Sequence, residues 1–261
     1  MGASGAAGGL AKWTSPLLGH ASLTRGEVVR TLAGVMELRF LDRYAEIART
    51  QNRLPHCEQP GATYFLTYRL ADAIPRERLD AWGEQREAWL RFHPEPWTPE
   101  QEREYHERFS GAIERWLDAG EGACVLRRPD CARIVGDALA HFDGDRCWQH
   151  AWVVMPNHVH VLFSVPPGGA FQSLVQSWKN FTAREINALL GLRGTLWQKD
   201  YFDRLVRDEA HFGKCARYIR RNPEKGRLSA GEYLLWESAW VKEMLDAAGL
   251  RSNGVGCRRV F

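Results

Sequence analysis

The sequence predicts an α+β fold in which a ferredoxin-like antiparallel sheet carries helices on one face. Extended and helical patterns follow one another in the order strand, helix, strand, strand, helix, strand along the 261 residues. Two of the extended segments are joined by only two residues, which indicates an antiparallel hairpin. A further helix, which contains a tyrosine, follows this core, and a helical insertion interrupts the core after its first strand.

The first clear strand covers residues 63–70, TYFLTYRL, which are rich in aromatic and β-branched side chains. Residues 71–122, called the insertion below, then hold 13 acidic and 7 basic side chains. Large apolar residues recur there at helical spacing on both sides of the proline-rich stretch 93–99. We interpret the insertion as two helices lying over the main fold, either as a solvated decoration or as a lid that faces a partner or substrate.

The middle of the chain predicts a helix over residues 130–142 and strands over residues 147–155 and 158–165. The two residues between these strands, Pro156 and Asn157, form the predicted hairpin turn. The second half of the core therefore begins with a pair of neighbouring strands.

The remaining elements end at recognisable signals. A helix is predicted over residues 171–190 and ends at Gly191, and residues 197–206 are predicted to be extended. The last clear helix begins after Asp208, a candidate N-cap, and is predicted to stop at Pro223.

One domain is expected over residues 36–228. The preceding residues 1–35 open with MGASGAAGGL and are interpreted as a flexible or non-native extension, with translation starting at Met36. Residues 229–261 are expected to form a tail that packs on the domain, where it either places DNA or closes the core.

Composition excludes several classes of protein. No run of apolar residues is long enough for a membrane span, and the net charge of +3 does not by itself indicate a nucleic-acid partner. None of the six cysteines form a Cys-x-x-Cys pair, which excludes a zinc ribbon or a thioredoxin-type motif. No secretory signal is recognisable, so we expect a cytoplasmic protein with free thiols and no membrane partner.

Two histidines at alternate positions, His158 and His160, fall on one predicted strand. Because side chains alternate along a strand, both imidazoles project from the same face. Neutral imidazoles on one rigid strand can bind a divalent metal ion. Taken alone, such a pair is a structural pair at least as often as a pair of metal ligands.

The last predicted helix places a phenol and an amide one turn apart, at Tyr218 and Asn222. Residues four apart point in nearly the same direction, beside a buried stripe of Phe212, Ala216 and Ile219. Tyr218 can serve as a nucleophile and Asn222 as an oxygen ligand of a metal. Taken singly, each also fits a structural role, as a tyrosine at the rim of the core and an asparagine ending a helix.

Basic side chains interleave with aromatic ones in the last third of the chain. Such interleaving suits a nucleic-acid strand, because phosphates pair with cations and bases stack on rings. A solvated surface is the alternative explanation. The predicted DNA-binding residues are Lys179, Arg184, Trp197, Gln198, Arg204, Arg207, Arg217, Arg220, Arg221 and Lys225.

Three segments resemble a known family. Residues 151–162, AWVVMPNHVHVL, resemble the HUH signature of single-tyrosine transposases, in which two histidines flank a hydrophobic residue. Residues 218–228, YIRRNPEKGRL, are similar to the catalytic-tyrosine helix of the REP-associated branch, and residues 197–208, WQKDYFDRLVRD, also fit it. Order and spacing agree over residues 62–228, apart from the insertion.

The resemblance implies that Tyr218 is the nucleophile and that His158, His160 and Asn222 bind a metal, Mg²⁺ or Mn²⁺. It implies a ferredoxin-like fold with the histidines on the open face of the sheet. The implied substrate is single-stranded DNA beside palindromic hairpins, and the implied product is a 5′-phosphotyrosine with a free 3′-hydroxyl. A monomer or a homodimer is compatible with these motifs.

Two other functions are compatible with parts of the pattern. One is a catalytically silent regulator that binds hairpin DNA. The other is a histidine-based nucleotide hydrolase, against which stands Leu162 at the position where a histidine triad would continue. The joint presence of both histidines, the tyrosine and the asparagine favours the transposase.

Overall fold

The computed structural model describes residues 27–250, except residues 32–33, 43, 46, 52–54 and 95. Two hairpins come first, β1 (Glu27–Thr31) with β2 (Gly34–Leu38) and β3 (Ala48–Gln51) with β4 (Pro55–Glu58). The strands of the central sheet are β5 (Thr63–Arg69), β6 (Trp148–Val154), β7 (His158–Ser164), β8 (Phe202–Leu205) and β9 (Leu234–Glu237). The helices are α1 (Arg76–Phe92), α2 (Pro99–Tyr105), α3 (Gly111–Asp118), α4 (Pro129–His141), α5 (Phe171–Leu190), α6 (Glu209–Lys225) and α7 (Ala239–Ala247).

The central sheet is fully antiparallel, with the strand order β8-β5-β7-β6-β9. The first four of these strands alternate with α4 and α5 in the ferredoxin-like sequence β5-α4-β6-β7-α5-β8. The predicted α+β class and antiparallel sheet are therefore confirmed. The strand β9, which the sequence patterns do not predict, extends the sheet beside β6.

The hairpin between β6 and β7 forms as predicted. The backbone N–H of Met155 donates to the carbonyl of His158, which closes the turn at Pro156 and Asn157. All seven residues of β7 are buried, because the sheet is covered on both faces.

Two hydrophobic cores lie on opposite faces of the sheet. On the first face, Val161 and Phe163 of β7 pack with α4 and α5, and the rings of Phe163 and Trp178 are 5.1 Å apart. On the second face, Leu162 packs with α6 and α7, including Ile219. The second face is the one expected to be open for a site, and the structure shows instead that helices cover it.

The insertion forms two helical arms, as predicted. The first arm is α1, and the second runs from α2 through a π-helical turn (His106–Ser110) into α3. Thr98 caps α2, since its side chain accepts a hydrogen bond from the backbone of Gln101. Ile113 and Leu117 of α3 are buried in the first core. The insertion is thus docked on the domain and is more than a solvated decoration.

The start of α6 confirms the predicted N-cap, because the Asp208 side chain accepts a hydrogen bond from the backbone N–H of His211 at 2.7 Å. The predicted end at Pro223 is wrong, since α6 continues to Lys225. Proline lacks an N–H, but the bond from Gly226 N–H to the Asn222 carbonyl maintains the last turn.

The structure describes parts of both segments that flank the expected domain of residues 36–228. Residues 1–26 and 32–33 of the expected extension lie outside the described residues, as do residues 251–261 of the tail. The described part of the tail supplies β9 and α7, whose Val241 and Leu245 are buried in the second core. Met36 lies within β2 and pairs with Val29, so a start at Met36 would remove β1.

Among the described helices, none has the length and hydropathy that crossing a membrane requires.

Candidate active site

The two histidines of β7 lie together on the second face of the sheet, as alternation predicts. Both side chains are buried, and the ring centroids of His158 and His160 are 4.7 Å apart with the planes nearly perpendicular. The intervening Val159 packs in the first core. The strand therefore presents both imidazoles towards α6.

Each imidazole is held through its Nδ1 atom. Nδ1 of His160 is 2.7 Å from the Thr67 hydroxyl on the neighbouring strand β5, and Nδ1 of His158 is 2.8 Å from Oδ1 of Asn157. Such contacts orient histidine ligands in metal sites and leave Nε2 as the coordinating atom.

The orientation of the Asn157 amide determines the tautomer of His158. Its Nδ2 donates to the backbone carbonyls of Leu117 and Glu121, at 3.3 and 3.1 Å, so its Oδ1 must face the histidine. An amide oxygen only accepts hydrogen bonds, and therefore Nδ1 of His158 carries the proton and Nε2 carries the lone pair. Both carbonyls belong to the end of the insertion.

Burial keeps the two histidines neutral. It lowers the pKa of His158 to about 3, against an opposing effect of the Asn222 side chain, and it lowers the pKa of His160 well below its usual value. Neutral imidazoles are the form that binds metal ions at physiological pH.

Tyr218 projects from α6 onto these histidines. Its ring centroid is 5.0 Å from that of His160 and 5.7 Å from that of Phe65, edge-on in both cases. Asn222 follows one turn later and is fully buried. The predicted grouping of the two histidines, the tyrosine and the asparagine is present in three dimensions.

Three buried polar atoms at this site make no hydrogen bond of good geometry among the described residues: Nε2 of His160 and both amide atoms of Asn222, although the Asn222 side chain lies close enough to His158 and Tyr218 to act on the pKa of both. Leaving such groups unsatisfied is costly, about 1–3 kcal/mol each, so each calls for an explanation. No three His, Cys, Asp or Glu side chains of the described chain cluster as a metal site. Nε2 of His158, Nε2 of His160 and the amide oxygen of Asn222 together offer two imidazole nitrogens and one oxygen. This donor set fits Mn²⁺ or Mg²⁺.

The surroundings of Tyr218 favour its protonated form. Burial raises the pKa of the Tyr218 phenol, and the carboxylates of Glu114 and Asp118 in α3 raise it further. The Lys225 ammonium lies 4.4 Å from the centroid of the phenol ring. Cleavage chemistry at this tyrosine therefore requires additional positive charge or a proton acceptor.

The insertion also contacts two predicted DNA-binding residues. Nη2 of Arg204 lies 3.1 Å from Nδ1 of His106 and 3.2 Å from the Ser110 hydroxyl. Nη1 of Arg207 is 3.2 Å from a carboxylate oxygen of Glu102. DNA that binds these two arginines has to compete with the insertion.

The structure places most of the predicted DNA-binding residues near the site. Those that are exposed or half-buried on α6, on β8 or in the segments flanking β8 are Gln198, Arg204, Arg207, Arg217, Arg221 and Lys225. Of these six, Arg204 and Arg207 are the two that the insertion contacts.

Four predicted DNA-binding residues lie elsewhere, three of them buried. Trp197 is in the first core, where its Nε1 donates to the Thr182 hydroxyl, so it cannot stack on a base. The Lys179 ammonium donates to the backbone carbonyls of Gln198 and Lys199. Arg184 is exposed on α5, on the face of the sheet opposite the histidines.

Arg220 requires a correction, because it joins α6 to the tail of the chain instead of facing solvent. Its guanidinium pairs with both carboxylate oxygens of Glu237 and, at 2.6 Å, with Asp246, and it donates to the Leu250 carbonyl. The Arg220 side chain is 3% exposed. Its role is structural.

Replacing Arg220 with alanine is expected to lower the free energy of unfolding by about 3–5 kcal/mol, because Glu237 would be left buried without a counter-charge. The neighbouring exposed Arg221 serves as the matched control. Arg221→Ala should change stability by less than about 0.5 kcal/mol and should weaken DNA binding. Urea denaturation of both variants measures the difference, and equal stabilities would contradict the structural role of Arg220.

The motifs alone do not reveal three residues of the site. The sequence patterns identify Asn157 only as a turn residue, and Thr67 and Arg69 only as part of the first strand. Alternation along β5 is the available signal, since Phe65, Thr67 and Arg69 share the face that is paired with the histidines. The insertion contacts of Asn157 have no signal in the local sequence.

A group of charged side chains, separate from the histidine site, lies beside β8. The buried His56 ring contacts Asp203 through Nδ1 and Asp200, at 2.8 Å, through Nε2. Burial opposes protonation of His56, but the hydrogen bonds and charges of the two carboxylates outweigh it and raise its pKa to about 9. His56 is therefore a cation that ties β4 to the sheet.

The raised pKa of His56 predicts a pH-dependent stability. Below about pH 6.5 the ring is protonated in the folded and the unfolded chain, and its contribution is complete. Between about pH 6.5 and pH 9 the unfolded chain loses this proton first, so up to about 3 kcal/mol of stability is lost. His56→Gln should remove this slope from a plot of unfolding free energy against pH. The exposed His141→Gln control should retain it.

Comparisons with known proteins agree with the motifs. Residues 141–222 match the family described as "Transposase IS200 like". The REP-associated tyrosine transposase of Escherichia coli (strain K12) is 24% identical over 115 residues, which cover 44% of this chain and 60% of that protein. The predicted resemblance to REP-associated tyrosine transposases is therefore confirmed, over 60% of that relative's length.

Two solved structures are also similar. One is a REP-associated tyrosine transposase bound to a REP hairpin, with 16% identity, 78% of this chain and 90% of that chain covered, and a TM-score of 0.33. The other is a provisionally assigned transposase of Deinococcus radiodurans R1, with 15% identity, coverage of 71% and 98%, and a TM-score of 0.26.

Proposed function

We propose that this protein is a metal-dependent DNA strand transferase that uses Tyr218 as its nucleophile on single-stranded DNA beside palindromic hairpins. The observation that carries the proposal is the convergence of Tyr218 on His160, with ring centroids 5.0 Å apart, beside buried polar atoms that make no hydrogen bond of good geometry among the described residues. The match to the IS200-like family over residues 141–222 supports the same reaction class.

The reaction is a transesterification at one phosphate. The Tyr218 oxygen attacks the phosphorus, the bond from phosphorus to the 3′ oxygen breaks, and the DNA downstream of the break stays attached to the protein through its 5′ phosphate. The phenol loses its proton during the attack, and the departing 3′ oxygen gains one. A divalent ion bound at this site would supply Lewis-acid chemistry to the scissile phosphate.

The chain's own residues prepare this step. Nε2 of His158 and of His160, together with the Asn222 oxygen, would hold the ion, with Asn157 and Thr67 fixing the rings. The α6 helix holds Tyr218 over His160 on a rigid element, which reduces the entropy cost of attack. The covalent intermediate between Tyr218 and the DNA is itself a phosphodiester. The energy of the broken bond is therefore kept, and strand transfer needs no external energy.

The DNA path follows the exposed and half-buried cations of α6. Arg217, Arg221 and Lys225 lie on the helix that carries Tyr218, and Arg204 lies on the adjacent strand β8. A hairpin partner is suggested by the REP-associated tyrosine transposase whose solved structure is bound to a REP hairpin. The target sequence of this chain needs to be found with the host's own repeats.

The proposal is tested with labelled single-stranded oligonucleotides that carry palindromes from the host's repeats. Incubation with Mn²⁺ or Mg²⁺, followed by denaturing electrophoresis, should give a labelled protein band that disappears with a chelator. Hairpin binding without a covalent band under either metal would favour the silent regulator. Turnover of free nucleotides without DNA cleavage would favour the hydrolase.

A further inference from the structure

Arg69 lies beside the candidate metal site on the neighbouring strand. It is the last residue of β5 and stands directly opposite His158 of β7 in the strand register. Directly opposed residues of an antiparallel pair project from the same face, with Cβ atoms about 4.5–5.5 Å apart. Arg69 therefore belongs to the face that carries both histidines.

The guanidinium of Arg69 is buried with a neutral partner. The residue is 6% exposed, Nε donates to Oε1 of Gln198 at 3.0 Å, and the group lies 5.3 Å from the centroid of the Phe202 ring. In the described part of the chain, its side-chain hydrogen bond is to Gln198, and the one carboxylate whose charge acts on it, Asp200, forms no ion pair with it. A guanidinium has five N–H donors, and the Gln198 contact uses one of them.

The charge of Asp200 acts on Arg69 without a direct contact. Asp200 raises the pKa of Arg69 through its charge, but burial outweighs this and lowers that pKa to about 10. The Asp200 carboxylate accepts hydrogen bonds from His56 and from the backbone of Tyr201. Lys179, whose ammonium is bound to two backbone carbonyls, adds a second buried cation.

This arrangement is costly unless an anion completes it. An ionised group removed from water loses favourable solvation that is not replaced when no counter-ion is present. Arg69 also stands directly opposite His158 on the neighbouring strand, so its charge opposes that of a metal ion bound to this ring. An anion bound between them would remove both costs.

We propose that Arg69 is a phosphate-binding residue, which holds a non-bridging oxygen of the DNA beside His158. The inference rests on the proposed function and deepens it, since the ligand is the backbone phosphate of the same DNA substrate. Guanidinium groups bind phosphate oxygens through paired, charge-assisted hydrogen bonds. Gln198 positions the group through Nε and leaves the outer nitrogens for the ligand.

The first test uses inorganic phosphate as the probe, without metal or DNA. Phosphate should raise the melting temperature of the wild-type protein and leave that of Arg69→Met unchanged. In phosphate-free buffer Arg69→Met should melt at the same temperature as the wild type or higher, because an apolar side chain replaces an uncompensated charge. Arg184→Met, which removes an exposed guanidinium on the opposite face, is the matched control and should keep the phosphate effect.

The second test separates phosphate binding from folding. Arg69→Met should bind Mn²⁺ as tightly as the wild type or more tightly in the absence of DNA, while covalent attachment at saturating DNA slows by about 10²–10³-fold. Arg69→Lys, which keeps the charge but loses the paired donors, should recover part of the rate.

Two results would overturn the inference. One is a parallel loss of stability and Mn²⁺ affinity in Arg69→Met, as expected for a structural residue. The other is an unchanged response to phosphate with an unchanged rate of attachment. If the wild-type protein forms no covalent product at all, the proposed function fails, whereas the phosphate test still decides whether Arg69 binds an anion.

Discussion

Tyr218→Phe is expected to abolish the covalent protein–DNA product, with a loss of at least about 10⁴-fold in the rate of attachment. Phenylalanine lacks the oxygen that forms the bond to phosphorus, and no other tyrosine in the described chain lies against the two histidines. The ring contacts with Phe65 and His160 do not involve the hydroxyl and should persist. Hairpin binding is therefore expected to stay within about threefold of the wild type.

The experiment compares Tyr218→Phe with Tyr233→Phe by denaturing electrophoresis of labelled DNA. Tyr233 lies just before β9 and packs against the second core, and among the described residues it has no ring contact with either histidine, so its variant should give the wild-type amount of product. A covalent band that survives in Tyr218→Phe would show that another residue attacks the phosphate.

Local periodicity explains why the centre of the site could be predicted. The spacing of Phe212, Ala216 and Ile219 defines the buried side of α6 and thereby the direction of Tyr218. Alternation along β7 does the same for His158 and His160. Each inference needs only the geometry of one element, and the structure agrees with both.

Contacts between distant segments explain why the rest was missed. Arg220 looks in the sequence like a neighbour of the exposed Arg221, but its partners Glu237 and Asp246 lie 17 and 26 residues further along the chain. Trp197 looks like a base-stacking residue in a basic segment, but Thr182 of another element binds its indole. A pattern within one segment cannot indicate which side of that segment a distant element will cover.

The insertion shows the same limit and its functional consequence. Its acidic composition indicates a surface helix, yet the carbonyls of Leu117 and Glu121 reach the amide of Asn157. The segment that interrupts the core thus helps to set the tautomer of a candidate metal ligand. Its carboxylates also lie near Tyr218 and Arg207, where DNA phosphates would approach.

His160→Ala is expected to remove most of the Mn²⁺ binding and to reduce metal-dependent attachment to background. The variant deletes a neutral nitrogen donor from a set of three protein ligands, and alanine offers no replacement. Mn²⁺ affinity without DNA, measured by calorimetry, gives a readout that does not depend on the reaction. The matched control is His150→Gln, at a buried histidine of β6 that contacts the Ser164 hydroxyl, and its folded fraction should bind Mn²⁺ normally.

The role of Asn157 can be separated from that of the insertion with two substitutions. Asn157→Ala removes the acceptor for Nδ1 of His158 and should weaken Mn²⁺ binding by about 10–100-fold. Asn157→Asp keeps an acceptor for that nitrogen, so the Mn²⁺ affinity should stay near the wild-type value. Both variants lose the donor to Leu117 and Glu121 and should be less stable to heat. An equal loss of Mn²⁺ affinity in the two variants would mean that docking of the insertion, and not the tautomer of His158, prepares the site for metal.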